Sequence, residues 1–153
     1  PNARLLLVGD GPERDHILRR CDELELGSNV TMPGLIHDRA RVRDYLGAAT
    51  VALLLYRADL VSRTSASPVK LNEYLASGRA VVAVEIPGIR ALVEGPGAGI
   101  IAEGNPESVA TAILGLLRDP ERADAMGTRG RQFAENGLSW GGVVQRTLPL
   151  FGI

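Results

Sequence analysis

Residues 67–84 read S-P-V-K-L-N-E-Y-L-A-S-G-R-A-V-V-A-V, the pattern of a helix delivered straight into a buried strand. Ser67 suits the N-cap, because its hydroxyl can accept from the free amides of the first turn. Pro68 suits the first helical position, where its missing N–H costs nothing. Gly78 is placed to close the helix in a left-handed conformation. Residues 80–84 form a short, unbroken apolar run, as expected of a strand covered on both faces.

Lys70 is the odd residue of this stretch, since a cation in the first helical turn opposes the helix dipole. Either it reaches into water, or an anion sits between the lysine and the free amides so that the two positive features cooperate. At about 100° per residue, Lys70, Glu73 and Ser77 fall within an arc of roughly 60°, opposite Leu71 and Leu75. A carboxylate one turn behind a phosphate-binding helix start can accept from a sugar diol, as the acidic residue of dinucleotide folds does. The plainer alternative is an exposed i,i+3 ion pair worth about 0.2–0.5 kcal/mol.

Working outward, the 153 residues are enough for one domain with a real core. Aromatics are only 4% of the chain, too few for stacking platforms on single-stranded nucleic acid. The net charge of −1 gives no global field toward DNA or an anionic membrane. The lone Cys21 excludes an internal disulfide and fits a reducing compartment. No apolar run approaches bilayer length and no signal peptide is seen. A strand already under way at Arg4 suggests a fragment of something larger.

Residues 5–8 read as a buried strand, followed by the turn Gly9-Asp10-Gly11-Pro12. The full G-x-G-x-x-G pattern is absent, so a structural turn and a ligand-contacting turn are equally open for Gly9 and Gly11. An amphipathic helix is expected over residues 13–26, with Ile17, Leu18, Cys21 and Leu24 inward and Gly27 ending it. A short strand over 29–32 is expected to turn at Pro33-Gly34. A helix over 37–48 and a buried strand over 51–56 come next. Residues 57–67 then form a long polar loop, expected to lie over the proposed anion site. A turn over 85–88, a short element over 89–93 and a strand over 99–102 follow. Helices are expected from Asn105-Pro106 to about Leu117, from Asp119-Pro120 through Phe133, and from Ser139 to about Leu148. His16 and His37 have no partners for a triad or a metal, and no Cys/His cluster exists for zinc. Strands alternating with helices in this order call for a Rossmann-like α/β fold: a doubly wound parallel sheet with helices on both faces.

The ordered segments L-L-L-V-G-D-G-P, N-V-T-M-P-G, A-A-T-V-A-L-L-L, the 67–84 stretch, N-P-E-S-V-A-T-A-I-L-G-L-L-R-D-P and the closing L-S-W carry a resemblance. Together they resemble the C-terminal domain of group 1 (family 4) glycosyltransferases, and the likeness runs through nearly the whole chain. It implies one half of a GT-B fold, two Rossmann-like domains facing across a cleft. The C-terminal half of such enzymes holds the nucleotide-sugar donor, and the sugar is transferred with retention and without a required metal or other cofactor. By this resemblance Glu73 matches the glutamate that holds the nucleotide ribose. Ser67, Pro68, Val69 and Lys70 match the helix start facing the diphosphate, with Arg63 a second candidate phosphate stabiliser. Gly9 and Gly11 match the glycine turn near the donor, and Met32, Pro33, Gly34 and Leu35 the segment along the base. Ser65 stands where the first glutamate of the family's E-x7-E motif would be.

The expected organisation is a nucleotide-sugar-binding domain over residues 1–137. A C-terminal helix over 138–153 then packs on a missing N-terminal domain and leaves an apolar face near Trp140 or Val144 exposed. The partners implied are a UDP- or GDP-linked sugar and that missing domain, in the cytoplasm. Nucleic acid is not expected, and any membrane contact would come through the missing half. No catalytic residue is assigned with certainty, and the isolated chain is expected to bind nucleotide and transfer nothing. A GT-B nucleotide-sugar 2-epimerase and a non-catalytic flavodoxin-like interaction module are the alternatives. The Gly9–Gly11 turn, the Pro68 helix start and Glu73 are expected at the carboxyl ends of strands, converging on one cleft.

Overall fold

The computed structural model describes residues 3–56 and 69–152, so Arg63, Ser65, Ser67, Pro68 and the expected 57–67 loop lie outside the described residues. The chain divides into two compact units, Pro1–Tyr45 and Leu46–Ile153. Each has its own parallel sheet, with strand order β1-β2 in the first and β3-β4-β5 in the second. The α/β, Rossmann-like class expected from the alternation of elements is what is found, although the strands form two ladders rather than one.

In the first unit, β1 (Leu5–Val8) pairs with β2 (Val30–Gly34), with α1 (Arg14–Glu23) between them in the chain. Contrary to the expected buried strand, Leu5 is 38% and Val8 40% exposed. Among the described residues β1 packs chiefly on β2 and no helix covers it closely, so its side chains lack the two covered faces of a buried parallel strand. The helix also ends earlier than expected, because Glu25, not Gly27, takes the left-handed conformation at φ 54°. The Leu26 amide donates to Cys21 O at 2.8 Å and the Glu25 amide to Asp22 O at 3.0 Å, a Schellman closure built on a non-glycine residue. That early end turns Leu24 out to solvent, whereas Cys21 is buried as expected. Pro33 and Gly34 continue β2 instead of turning it. Leu6 pairs with Thr31 but Val8 with Gly34, so β2 carries one extra residue at Met32-Pro33. A bulge is where a strand accommodates a residue that cannot donate to the ladder. Asp38 caps α2 (Arg39–Ala48), its Oδ1 accepting from the Ala40 amide at 2.8 Å.

The second unit is built on β4 (Ala80–Val84), whose five residues are all buried. It lies between β3 (Val51–Leu54) and β5 (Gly99–Ala102); β3 stops short of the expected residue 56, and Leu55 is exposed. Successive residues of β4 serve opposite faces. Val81 and Ala83 pack with Leu71 and Leu75 of α3 (Val69–Ala76) and with Ile89 and Val93 of α4 (Ile89–Val93). Ala80 and Val82 pack with Leu116 of α5 (Pro106–Arg118) and Ala123 of α6 (Pro120–Phe133). Asn105 and Asp119 cap α5 and α6 as expected, accepting from the amides of Ser108 at 2.8 Å and Arg122 at 3.0 Å.

Gly78 ends α3 at φ 69°, with its amide on Leu75 O at 2.9 Å and that of Arg79 on Tyr74 O at 3.3 Å. A Cβ on Gly127 of α6 would collide with the Gly78 carbonyl, so α6 crosses this corner backbone to backbone. The last helix, α7 (Trp140–Thr147), is capped by Ser139 as expected and runs into a 3-10 turn, Leu148–Phe151. Its apolar face is open: Trp140 is 85% exposed, and Val144, Leu148, Leu150 and Phe151 are exposed too.

Candidate functional site

In the first unit the predicted residues gather at the carboxyl end of the sheet. The Gly9 amide donates to the Gly34 carbonyl at 2.9 Å, so the turn after β1 is tied to the end of β2. Gly9 has φ 137° and Gly34 φ 79°, conformations that favour glycine. A Cβ at Gly9, Gly11 or Gly34 would meet nothing within 4 Å, so the space over these backbones is open. Asp10 closes its own turn, with Oδ1 accepting from the Gly11 amide at 2.8 Å. The Gly11 amide is therefore already engaged. Met32 is half-buried, whereas Pro33 and Leu35 are exposed, Leu35 by 62%.

In the second unit, α3 returns from the carboxyl end of β3 to the start of β4, so its first turn lies at the carboxyl edge of that sheet. Leu71 and Leu75 are fully buried and fix the helix, whereas Val69, Lys70 and Glu73 face solvent. Lys70 and Glu73 are not among the ion pairs of the described residues, so the simple i,i+3 pair is not formed. Ser77 drops out of the expected polar arc; its hydroxyl donates to Tyr74 O at 2.8 Å and helps end the helix. Tyr74 is half-buried beside Tyr56 and Glu73. Burial first, and then the charges of those two neighbours, push its phenol above the ordinary tyrosine value.

Gly9, Gly11 and the 32–35 segment belong to one unit and Val69, Lys70 and Glu73 to the other, and each set is described within its own. Sequence reasoning missed Asn72, whose Oδ1 is buried without a hydrogen-bond partner among the described residues. A polar side chain directly after a buried leucine was the available signal. An open cavity of about 630 Å³ lies between β5 and α5, lined by Ile100, Glu103, Thr111 and Arg122 among others. It contains none of the residues expected to meet a nucleotide. Among the described residues no group of three or more His, Cys, Asp or Glu could hold a metal ion, and no helix is long and apolar enough to cross a membrane.

Parallel ladders with helices at their carboxyl ends define an α/β protein of the kind that binds ligands where strands end. The chain matches the family described as glycosyl transferases group 1 over residues 1–119, and it belongs to that family. It is 30% identical, over 82% of its length, to D-inositol 3-phosphate glycosyltransferase of Kineococcus radiotolerans, of which it covers 33%. It is 26% identical, over 92% of its length, to the GDP-mannose-dependent alpha-(1-6)-phosphatidylinositol monomannoside mannosyltransferase of Mycolicibacterium smegmatis, covering 37% of that protein. Among solved structures it superposes on sucrose-phosphate synthase of Thermosynechococcus elongatus with a TM-score of 0.81 and 26% identity, over 97% of this chain and 37% of the other. The chain thus spans about a third of the length of these curated relatives.

Proposed function

We propose that this chain is the nucleotide-sugar-binding half of a retaining glycosyltransferase. The observation that carries the reading is family membership over residues 1–119, combined with an acid and a base side by side on the solvent face of α3's first turns. Glu73 accepts from the ribose hydroxyls. The start of α3, with Val69 and Lys70 and the preceding Ser67 and Pro68, receives the diphosphate. In the first unit, Gly9, Gly11 and Gly34 offer uncovered backbone to a donor, and Met32, Pro33 and Leu35 offer side chains to its base. The chemistry asked of this half is electrostatic: stabilising the nucleoside diphosphate as the sugar–phosphate bond breaks. Helix-start amides and one or two cations, Lys70 and Arg63, serve that purpose, so no metal is required.

In the whole enzyme, a second domain N-terminal to this one supplies the acceptor site and covers the apolar face of α7, in the cytoplasm. A relative named as GDP-mannose-dependent and the sugar-transferring names of its family support a nucleotide-sugar substrate. With half the cleft open to water, binding is weak, and nothing orients an attacking hydroxyl.

Calorimetric titration with UDP, GDP, ADP and the matching nucleosides tests the reading. One nucleoside diphosphate should bind with a Kd in the range of about 0.1–10 mM, its nucleoside more weakly. No transfer should be seen from the corresponding sugar nucleotide. Absence of binding by all three diphosphates at about 10 mM overturns the proposal.

A further inference from the structure

The second sheet has an open side at β5, which pairs only with β4 among the described residues. Ile100 and Ile101 on this strand are half-exposed, and the open cavity against α5 lies beside them. An apolar edge strand of this kind is a template for pairing with a second copy. Alternate residues of a strand direct their backbone groups to the same side, so Gly99 and Ile101 of β5 and Glu103, just beyond its end, form one set. The amides of Ile101 and Glu103 go to side chains instead of to β4. The Ile101 amide donates to Glu94 Oε1 at 3.4 Å and the Glu103 amide to Ser108 Oγ at 3.0 Å.

The acceptors come from the elements that flank β5 in sequence. Glu94 follows α4, and its other carboxylate oxygen is held by Arg90 at 2.5 Å. Arg90 is itself braced by Glu85 at 2.5 Å. Ser108 sits in the first turn of α5, where Asn105 holds its amide. Two side chains, one braced by Arg90 and one set on the capped first turn of α5, thus occupy the outward amide of Ile101 in β5 and that of Glu103 just beyond it.

We propose that Glu94 and Ser108 form an edge lock that prevents β5 from adding a strand of a second copy. An added strand would take the Ile101 amide and, if it ran past the end of β5, that of Glu103, and both are already engaged from within the chain.

The test compares wild type with Glu94→Ala, Ser108→Ala and the double variant by sedimentation velocity across a hundredfold concentration range. Hydrogen exchange is read at the Ile101 and Glu103 amides, and circular dichroism checks that each variant is folded. The double variant should self-associate at a concentration at least tenfold below wild type, with slowed exchange at those two amides in the associated form. Glu94→Gln and Ser108→Thr, which keep an acceptor, should behave as wild type. A folded double variant that associates no more than wild type, or one that associates without slowing exchange at β5, overturns the proposal.

Discussion

The amide of Gly9 donates to the carbonyl of Gly34 at 2.9 Å, joining the turn after β1 to the end of β2 at positive φ on both sides. Neither glycine has a neighbour that a methyl group would strike, so their cost of substitution is conformational. Gly9→Ala and Gly34→Ala should each lower stability by about 1–3 kcal/mol, the scale for a side chain forced into such a region. Gly11→Ala, at a residue without positive φ, should change stability by less than about 0.5 kcal/mol. Urea unfolding of the three variants separates these expectations, and a costly Gly11→Ala would contradict them.

The single tryptophan reports on the surface assigned to a second domain. Trp140 is 85% exposed, so in this chain its fluorescence should be that of a water-exposed indole, readily quenched by iodide. In a longer protein that includes the N-terminal half, emission should shift to the blue and quenching should fall. Unchanged quenching there would mean that α7 is not covered.

Tyr74 makes stability depend on alkaline pH. Burial, then Tyr56 and Glu73, raise its pKa above the ordinary 10.0, so the folded chain holds this proton more tightly than the unfolded one. Its contribution is therefore complete below the unfolded value and is lost as pH rises through the folded value. Urea midpoints should fall as pH rises above the unfolded tyrosine value of about 10, and Tyr74→Phe should reduce that fall. An identical pH profile in the variant would remove Tyr74 as the cause.

Much of the second unit was legible because its signals are local. Asn105, Asp119 and Ser139 cap the helices they precede, Gly78 ends α3, and the apolar run 80–84 is the buried central strand. The first unit was read less well. Whether Leu5 and Val8 are buried depends on what packs over the faces of the sheet, which four apolar letters do not record. The left-handed Glu25 broke the expectation that glycine ends a helix, and Pro33 entered a strand because a bulge made room for it. At the candidate site, the exposed Lys70 and Glu73 followed from helical spacing. Asn72 and the Asp10–Gly11 contact depend on side-chain geometry that spacing leaves open.

The central claim, that Glu73 holds a ribose, is tested most directly by a thermodynamic cycle. The nucleoside diphosphate that binds best is titrated by calorimetry against wild type and Glu73→Ala, alongside its 2′,3′-dideoxy analogue. Against wild type, losing the diol should weaken binding by about 1–3 kcal/mol, the scale for hydrogen bonds to a charged group. Against Glu73→Ala, the same deletion should cost almost nothing, because the two changes remove one interaction. Lys70→Ala should keep the full diol effect while weakening both diphosphates. If Glu73→Ala leaves the diol effect at its wild-type size, the carboxylate does not hold the ribose and the site assignment is contradicted.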